Sequence, residues 1–456
     1  MNKTARQVAK LCVLGAVTLT TTSIANAGHS ELLDVLLKNG AINKKQYEEL
    51  AKGAQEKEQK KDEEDVKVSL KKGQLVFKSD DDEFKFQVGG RLMLDAAWYD
   101  NDDVSKGDAD FGNGTEIRRA RVFVKGTLWN DWHFKGQYDF AGNTTNIKDA
   151  YIKYTGLKET IGFPLDITMG NFKEPFSLEE LTSSRFITFM ERGMPNVFAP
   201  SRNLGVQLSS HGEMLEGGWS MTGGAFGTGV DDNAASGIDE SYAGAGRFTL
   251  APIANKTQVV HLGGGVEYRI LKGDAGNQVR VRQRPDSHIA DHRLVDARFS
   301  NTTGNPLEGD LLKYGGEAAV VWGPFSTQGE YIIAEYDIDD GPSPEFEGWY
   351  AYASLFLTGE SRSYKAKNGT FSRVKPKGIV GKGGWGAWEI AGRYSYIDLN
   401  DDGVEGGREG NWTVGLNWYA TPSIRLMANV IFADADLPNG TSDNPNVLQL
   451  RGQVDF

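Results

Sequence analysis

Two sets of arginines stand out by type and spacing. Arg118, Arg119 and Arg121 lie close together, and Arg280, Arg282 and Arg284 alternate with Val281 and Gln283. Along an extended chain, side chains two residues apart recur about every 6.6–7 Å on one face. A hydrated anion would then meet one guanidinium after another. Arginine suits oxyanions because it is permanently charged and its planar fork of donors matches two oxygens at once. Rings of such side chains are the expected filter of an anion pore. Carboxylates compete with that reading. The stretch 171–202 carries Glu174, Glu179, Glu180 and Glu191 beside Lys173, Arg185 and Arg192, and Asp286, Asp291 and Asp296 follow the second set. Balanced in this way, the same arginines would give a transverse field and weak selectivity.

The elements that must position these residues are strands. Within 115–140, Ala120, Val122, Val124, Gly126 and Leu128 fall on one side, and Arg119, Arg121, Lys125 and Thr127 on the other, with Phe123 the apolar exception. After Asn130 and Asp131, Trp132, Phe134, Tyr138 and Phe140 oppose His133, Lys135, Gln137 and Asp139. Side chains alternate across a pleated strand, so one face is apolar and the other charged. The apolar face would pack on a second sheet in a soluble sandwich, and would meet lipid in an outer-membrane barrel.

The start of the chain favours the membrane. Lys3, Arg6 and Lys10 precede a mostly apolar run over 11–19, and Ala25-Asn26-Ala27 offers a small-x-small cleavage site, which predicts a secretory leader over 1–27. The single cysteine, Cys12, lies inside that leader, so the exported chain is expected to hold no disulfide and no cysteine-bound metal. After the leader no stretch approaches the roughly 18 to 20 apolar residues of a spanning helix. A mean hydropathy of -0.44 with 11% aromatics suits strands that hide alternate residues in a wet lumen. The net charge of -12 argues against nucleic-acid binding.

Residues 28–65 read as a separate periplasmic segment. Leu32, Leu33, Leu36 and Leu37 have helical spacing, Asn39-Gly40 ends that turn, Asn43 is placed to cap a second helix, and 55–65 is a charged linker. A connecting segment, 66–83, leads to a barrel domain over 84–456. There sixteen candidate strands follow one another, from 84–98 to 446–456, with an aromatic at the last position. Their connections alternate short, as at 129–131, 323–324 and 421–422, and long, as at 100–114, 171–202, 228–240 and 269–310. The fold expected is all-β, a 16-stranded antiparallel transmembrane β-barrel with a short N-terminal periplasmic helical segment. One connection breaks the alternation. Residues 360–384 should form a short periplasmic turn but are long, with Arg362, Lys365, Lys367, Arg373, Lys375, Lys377 and Lys382 against Glu360 alone. Such a turn must hang in the periplasm or fold into the lumen.

Other motifs are weaker. Asp398, Asn400, Asp402, Gly403 and Glu409 have the spacing of a calcium-binding helix-loop-helix, but strand-like sequence flanks them, so 398–409 reads as an external polar loop. His288 and His292 are four apart without a helix to align them, and no metal or cofactor is expected. Nor is an enzyme: G-x-S-x-G, a Walker loop and H-E-x-x-H are missing from the sequence.

The motifs QVGGRL at 87–92, EIRRARVFVKGTLWNDW at 116–132, FKEPFSLEELTSSRFITFMER at 172–192, LTGESRSYK at 357–365, RVKPK at 373–377 and VGLNWYA at 414–420 give the chain a resemblance to the phosphate-selective porin O and P family. The resemblance implies a trimeric barrel in the outer membrane of a Gram-negative bacterium, with the third loop, the fifth loop and a periplasmic turn entering the channel. It makes Arg118, Arg119, Arg280 and Arg282, with Arg91 beside them, look like members of an arginine ladder. Arg185, Lys365 and Lys375 look like a central basic cluster, and Asp139 like the lumenal acid near it. Arg185 stands where the best-known members of the family carry a lysine. The function expected is passive diffusion of small anions such as phosphate or polyphosphate. The partners expected are outer-membrane lipid, lipopolysaccharide and two further copies in a homotrimer. A general, weakly selective porin, or an envelope protein tying outer membrane to cell wall, are the alternatives.

Overall fold

A computed structural model describes residues 33, 34, 36–52, 66–71, 73–100, 111–230 and 239–456. The expected leader with Cys12, and the charged linker, lie outside the described residues. The chain divides into two compact units, Met1–Asp65 and Val66–Phe456. In the first, Asn43 caps the helical residues 44–52. The Gln46 amide donates to Asn43 Oδ1 at 2.9 Å and the Asn43 amide to Gln46 Oε1 at 3.0 Å, a reciprocal cap that satisfies two donors a helix start leaves open.

The second unit is a closed barrel of sixteen antiparallel strands: Lys85–Asp100, Gly114–Leu128, Trp132–Asp139, Asn146–Tyr154, Asp166–Lys173, Arg202–Met214, Gly217–Phe226, Tyr242–Ala254, Gln258–Ala275, Pro306–Trp322, Phe325–Ile338, Glu345–Phe356, Ala387–Asp401, Val404–Thr421, Ile424–Asp436 and Asn446–Asp455. They are counted first to sixteenth below. The sixteenth closes on the first, from Asn446 opposite Asp100 to Asp455 opposite Arg91. Closure leaves the wall without an unpaired edge, which hydrocarbon demands. The two-residue rhythm sorts the side chains. On the first strand Leu92, Leu94 and Trp98 are exposed on the outer face, while Arg91, Met93, Asp95 and Ala97 are buried on the inner one.

Two bulges break this rhythm usefully. Between the first two strands Met93 faces Arg119 and Leu94 faces Ile117, so Arg118 is an extra residue. Between the third and fourth, Gln137 faces Asp149 and Tyr138 faces Ile147, leaving Lys148 as the extra one. A bulge re-aims a side chain that strict alternation would send the other way.

Part of the segment read as a connector, 66–83, forms a hairpin, Lys67–Lys71 with Gln74–Lys78. Its second arm pairs with the first barrel strand from Leu75 opposite Val88 to Lys78 opposite Lys85. The reason lies in an alternation too short to notice: Val68, Leu70, Leu75 and Phe77 share a face across two five-residue arms.

Three segments turn inward. Residues 174–201, between the fifth and sixth strands, cross to the far wall. There Glu330 accepts the Leu178 and Glu179 amides at 2.9 and 2.7 Å, and Ser395 Oγ accepts the Met194 amide at 2.7 Å. Residues 276–305 form a hairpin, Val279–Gln283 with Val295–Phe299, whose Val281, Val295, Ala297 and Phe299 pack into an apolar cluster with Ile397 and Leu399 of the thirteenth strand. The basic turn folds into the lumen: Arg247 Nη1 donates to the Asn368 carbonyl at 3.2 Å and the Phe371 amide to Thr182 Oγ1 at 3.3 Å.

Candidate functional site

Between the first eight strands and the inserted 174–201 loop lies a cavity of about 710 Å³. The wall contributes Arg91, Arg118, Arg119, Arg121, Lys135, Lys148, Lys153, Arg202 and Arg247; the loop and its stem add Lys173, Arg185 and Arg192, and the basic turn Lys367. Against these thirteen cations the described lining has three carboxylates, Asp149, Asp166 and Glu180.

Of the acids nearby, Asp166 is matched by Lys153 and Asp139 by Arg121, while three others are shared. Asp149 takes both Lys135 and Arg202, the latter at 2.7 Å. Glu180 takes Lys173 at 2.8 Å and Arg192 at 3.1 Å. Glu191 accepts both donors of Arg118 at 2.9 Å, lies 3.5 Å from Arg119, and meets Arg451 at 2.7 Å. One negative charge thus fixes two or three positive ones and leaves the excess facing the cavity. Among the described residues Arg91, Lys148 and Lys367 form no ion pair. Arg91 is held instead by Ser184 Oγ at 2.7 Å and Gln137 Oε1 at 3.3 Å.

Register also brings like charges together. Arg91 sits directly opposite Arg121, and Lys125 directly opposite Lys135. Like charges facing each other across strands destabilise a sheet, and here one member of each pair is met by a carboxylate, Arg121 by Asp139 and Lys135 by Asp149. Phe123, the apolar exception on the charged face, underlies this group, with Lys125, Lys135 and Arg185 5.5, 5.9 and 5.9 Å from its ring centre.

Other wall arginines never reach the cavity. Arg425 donates to the Ile187 and Thr188 carbonyls at 2.7 Å each, and Arg451 to the Met190 carbonyl, so their charge is used to seat the loop.

Of the residues singled out in the sequence, the structure brings Arg91, Arg118, Arg119 and Arg185 to the cavity. Asp139 stands just behind, gripping Arg121 Nε at 2.6 Å and the Ala120 amide at 3.1 Å. Arg280, Arg282, Lys365 and Lys375 are not in the cavity wall. The apolar side of the 279–299 hairpin claims the barrel's inner surface, and Arg280 on its other side meets Asp296, with Nε 2.7 Å from Oδ1. Lys365 and Lys375 are exposed on the basic turn. Arg121, grouped with Arg118 and Arg119 in the sequence, also lines the cavity, and residues not singled out as site members include Lys135, already on the charged face, and Lys148, hidden by its bulge. Arg247 gave a fainter signal as the lone charge of the eighth strand, and Arg202 as the first residue of the sixth.

The weaker motifs resolve simply. The thirteenth and fourteenth strands run on to Asp401 and from Val404, so the calcium-like spacing is a tight hairpin; Asp402 Oδ2 accepts the Ser343 amide at 2.6 Å and Glu409 is buried inside. His288 Nδ1 lies 2.9 Å from Glu116, and the His292 ring packs edge-on against Phe111.

Comparison with known proteins bears on this arrangement. The family described as phosphate-selective porin O and P matches residues 86–456. An uncharacterized protein of Caulobacter vibrioides is 34% identical over 401 residues, covering 84% of this chain and 76% of that protein. Porin O of Pseudomonas aeruginosa is 28% identical over 401 residues, covering 82% and 88%. Among solved structures, in-vitro folded OmpT of Vibrio cholerae superposes with a TM-score of 0.51 at 10% identity, covering 82% of this chain and 98% of that one. The anion-selective porin from Comamonas acidovorans gives 0.50 at 14% identity, covering 82% and 100%. At such identities these two speak for the fold.

Proposed function

Because the chain belongs to the phosphate-selective porin O and P family and is therefore an outer-membrane channel of a Gram-negative bacterium, not an enzyme, we propose that it passes small oxyanions, phosphate or polyphosphate among them, down their gradient. The observation that carries this reading is the cavity lining, with thirteen cations and three carboxylates that each hold a cation. An entering anion meets Arg118 and Arg119 first, then the facing Arg91 and Arg121, then the Lys125 and Lys135 pair nearer the short turns. Each step hands it from one set of donors to the next, replacing part of its hydration while leaving it able to move on. Multiple weak sites are what conduction needs.

The exposed apolar belt supports contact with outer-membrane lipid and lipopolysaccharide. A homotrimer is what the family resemblance implies, whereas a periplasmic place for residues 28–65 rests on their helical leucine spacing and charged linker. The test is block of chloride current by added phosphate across a planar bilayer. Block at micromolar to millimolar phosphate is expected. Anion preference without block would point instead to a general porin, a reading favoured by the number of cavity cations already held by carboxylates.

A further inference from the structure

Arg393, on the thirteenth strand, is buried and lies outside the cavity wall. Its guanidinium is spent on the inserted loops. Nη1 donates to the Glu191 carbonyl at 3.0 Å and lies 3.9 Å from Glu179 Oε1, both on the 174–201 loop. Nη2 is 2.9 Å from Asp286 Oδ2 on the 276–305 loop, and the group lies 4.5 Å from the Phe189 ring centre.

Two features make this more than one buried ion pair. Glu191, whose carbonyl Arg393 holds, is the residue whose carboxylate presents Arg118 and Arg119 to the cavity. Asp286 is buried with a left-handed backbone, φ 50°, and among the described residues Arg393 is the cation it pairs with. A single wall side chain therefore touches both loops and stands one residue away from two of the bore's guanidinia. We infer that Arg393 is a positioning residue of the pore: by tying both loops to one point of the wall it sets the width of the passage and the place at which Glu191 holds Arg118 and Arg119. The part concerning selectivity rests on the anion-channel reading above; the part concerning width does not.

The test uses the full-length protein in planar bilayers. Arg393→Gln removes the tie without altering any charge in the cavity wall. The expected result is a larger and noisier single-channel current, with the chloride-over-potassium permeability ratio lowered about twofold or more, within the range that coupled positions usually show. Arg393→Lys, which keeps the charge but not the fork, should recover part of both. Closed barrels are confirmed by their faster migration on gels before boiling.

If Arg393→Gln barrels close and match wild type in conductance, noise and ratio, the inference is overturned. That variant leaves Asp286 and Glu179 enclosed without their cation and could fail to assemble. In that event Asp286→Asn decides, since it removes the charged tie between the 276–305 loop and Arg393 while the hairpin's apolar packing stays and Arg393 keeps its hold on Glu191. Added noise supports the inference and an unchanged trace overturns it. A wild-type channel without anion preference would refute the anion reading alone, because conductance and noise still judge the tie.

Discussion

Replacing Arg91 with glutamine separates what the bore charges do for transport from what they do for folding. Arg91 has hydrogen bonds to Ser184 and Gln137, no carboxylate partner among the described residues, and Arg121 directly across the sheet. A unit charge about 7 Å from a passing anion is worth about 0.6 kcal/mol at the dielectric of bulk water and about 2.4 kcal/mol at an effective value of about 20. The bore lies between these limits. Arg91→Gln should therefore raise the phosphate concentration for half-block between about threefold and about fiftyfold. Stability should hardly move: relief of the facing charge returns about 0.2–1 kcal/mol, against about 1 kcal/mol for the lost hydrogen bonding. The assay is phosphate block of chloride current at low and high salt, paired with thermal unfolding of the barrel. The effect should shrink at 1 M salt, where the screening length falls from about 10 Å at 0.1 M to about 3 Å. Arg91→Lys should block nearly as wild type. A glutamine variant that blocks as wild type but unfolds much earlier would refute the reasoning, because Arg91 would then be structural.

Three further outcomes follow from the same geometry. Asp149→Asn releases Lys135 and Arg202 from a shared carboxylate, so the chloride-over-potassium ratio should rise while the barrel loses roughly 1–3 kcal/mol of stability; a lower ratio would contradict the charge account. Arg280→Ala removes a charge already met by Asp296 and should leave phosphate block unchanged, whereas weaker block would place the 279–299 hairpin in the filter. Gly170→Ala should sharply reduce closed barrel in the outer-membrane fraction, since φ is +125° there and a Cβ would come within 2.2 Å of the Ala150 carbonyl; normal assembly would contradict the register of the fourth and fifth strands.

Much of the barrel was legible because its alternation is long and repeated. Sixteen strands, the long inserted loop and the anomalous basic turn all follow from two-residue periodicity and loop length. The 67–78 hairpin escaped because five-residue arms give too few repeats to count. Periodicity also failed where the backbone adds a residue: Arg118 would have faced lipid and Lys148 would have parted from Asp149, but for bulges invisible in composition. The stretch 280–284 shows a further limit of spacing alone: its arginines sit on a hairpin whose opposite, apolar face packs on the wall, and Arg280 and Arg284 each meet an acid of the same loop. Charge type could be read from the sequence, but not which cations would be spent on loop carbonyls, because Arg425 and Arg451 look no different from Arg91 until the loop is in place.

The most direct measurement is the zero-current potential of the wild-type channel across a tenfold gradient of potassium chloride. An excess of cations in the bore predicts a potential displaced toward the chloride equilibrium value, and more so at low ionic strength. A potential near zero, or displaced toward potassium, would contradict it.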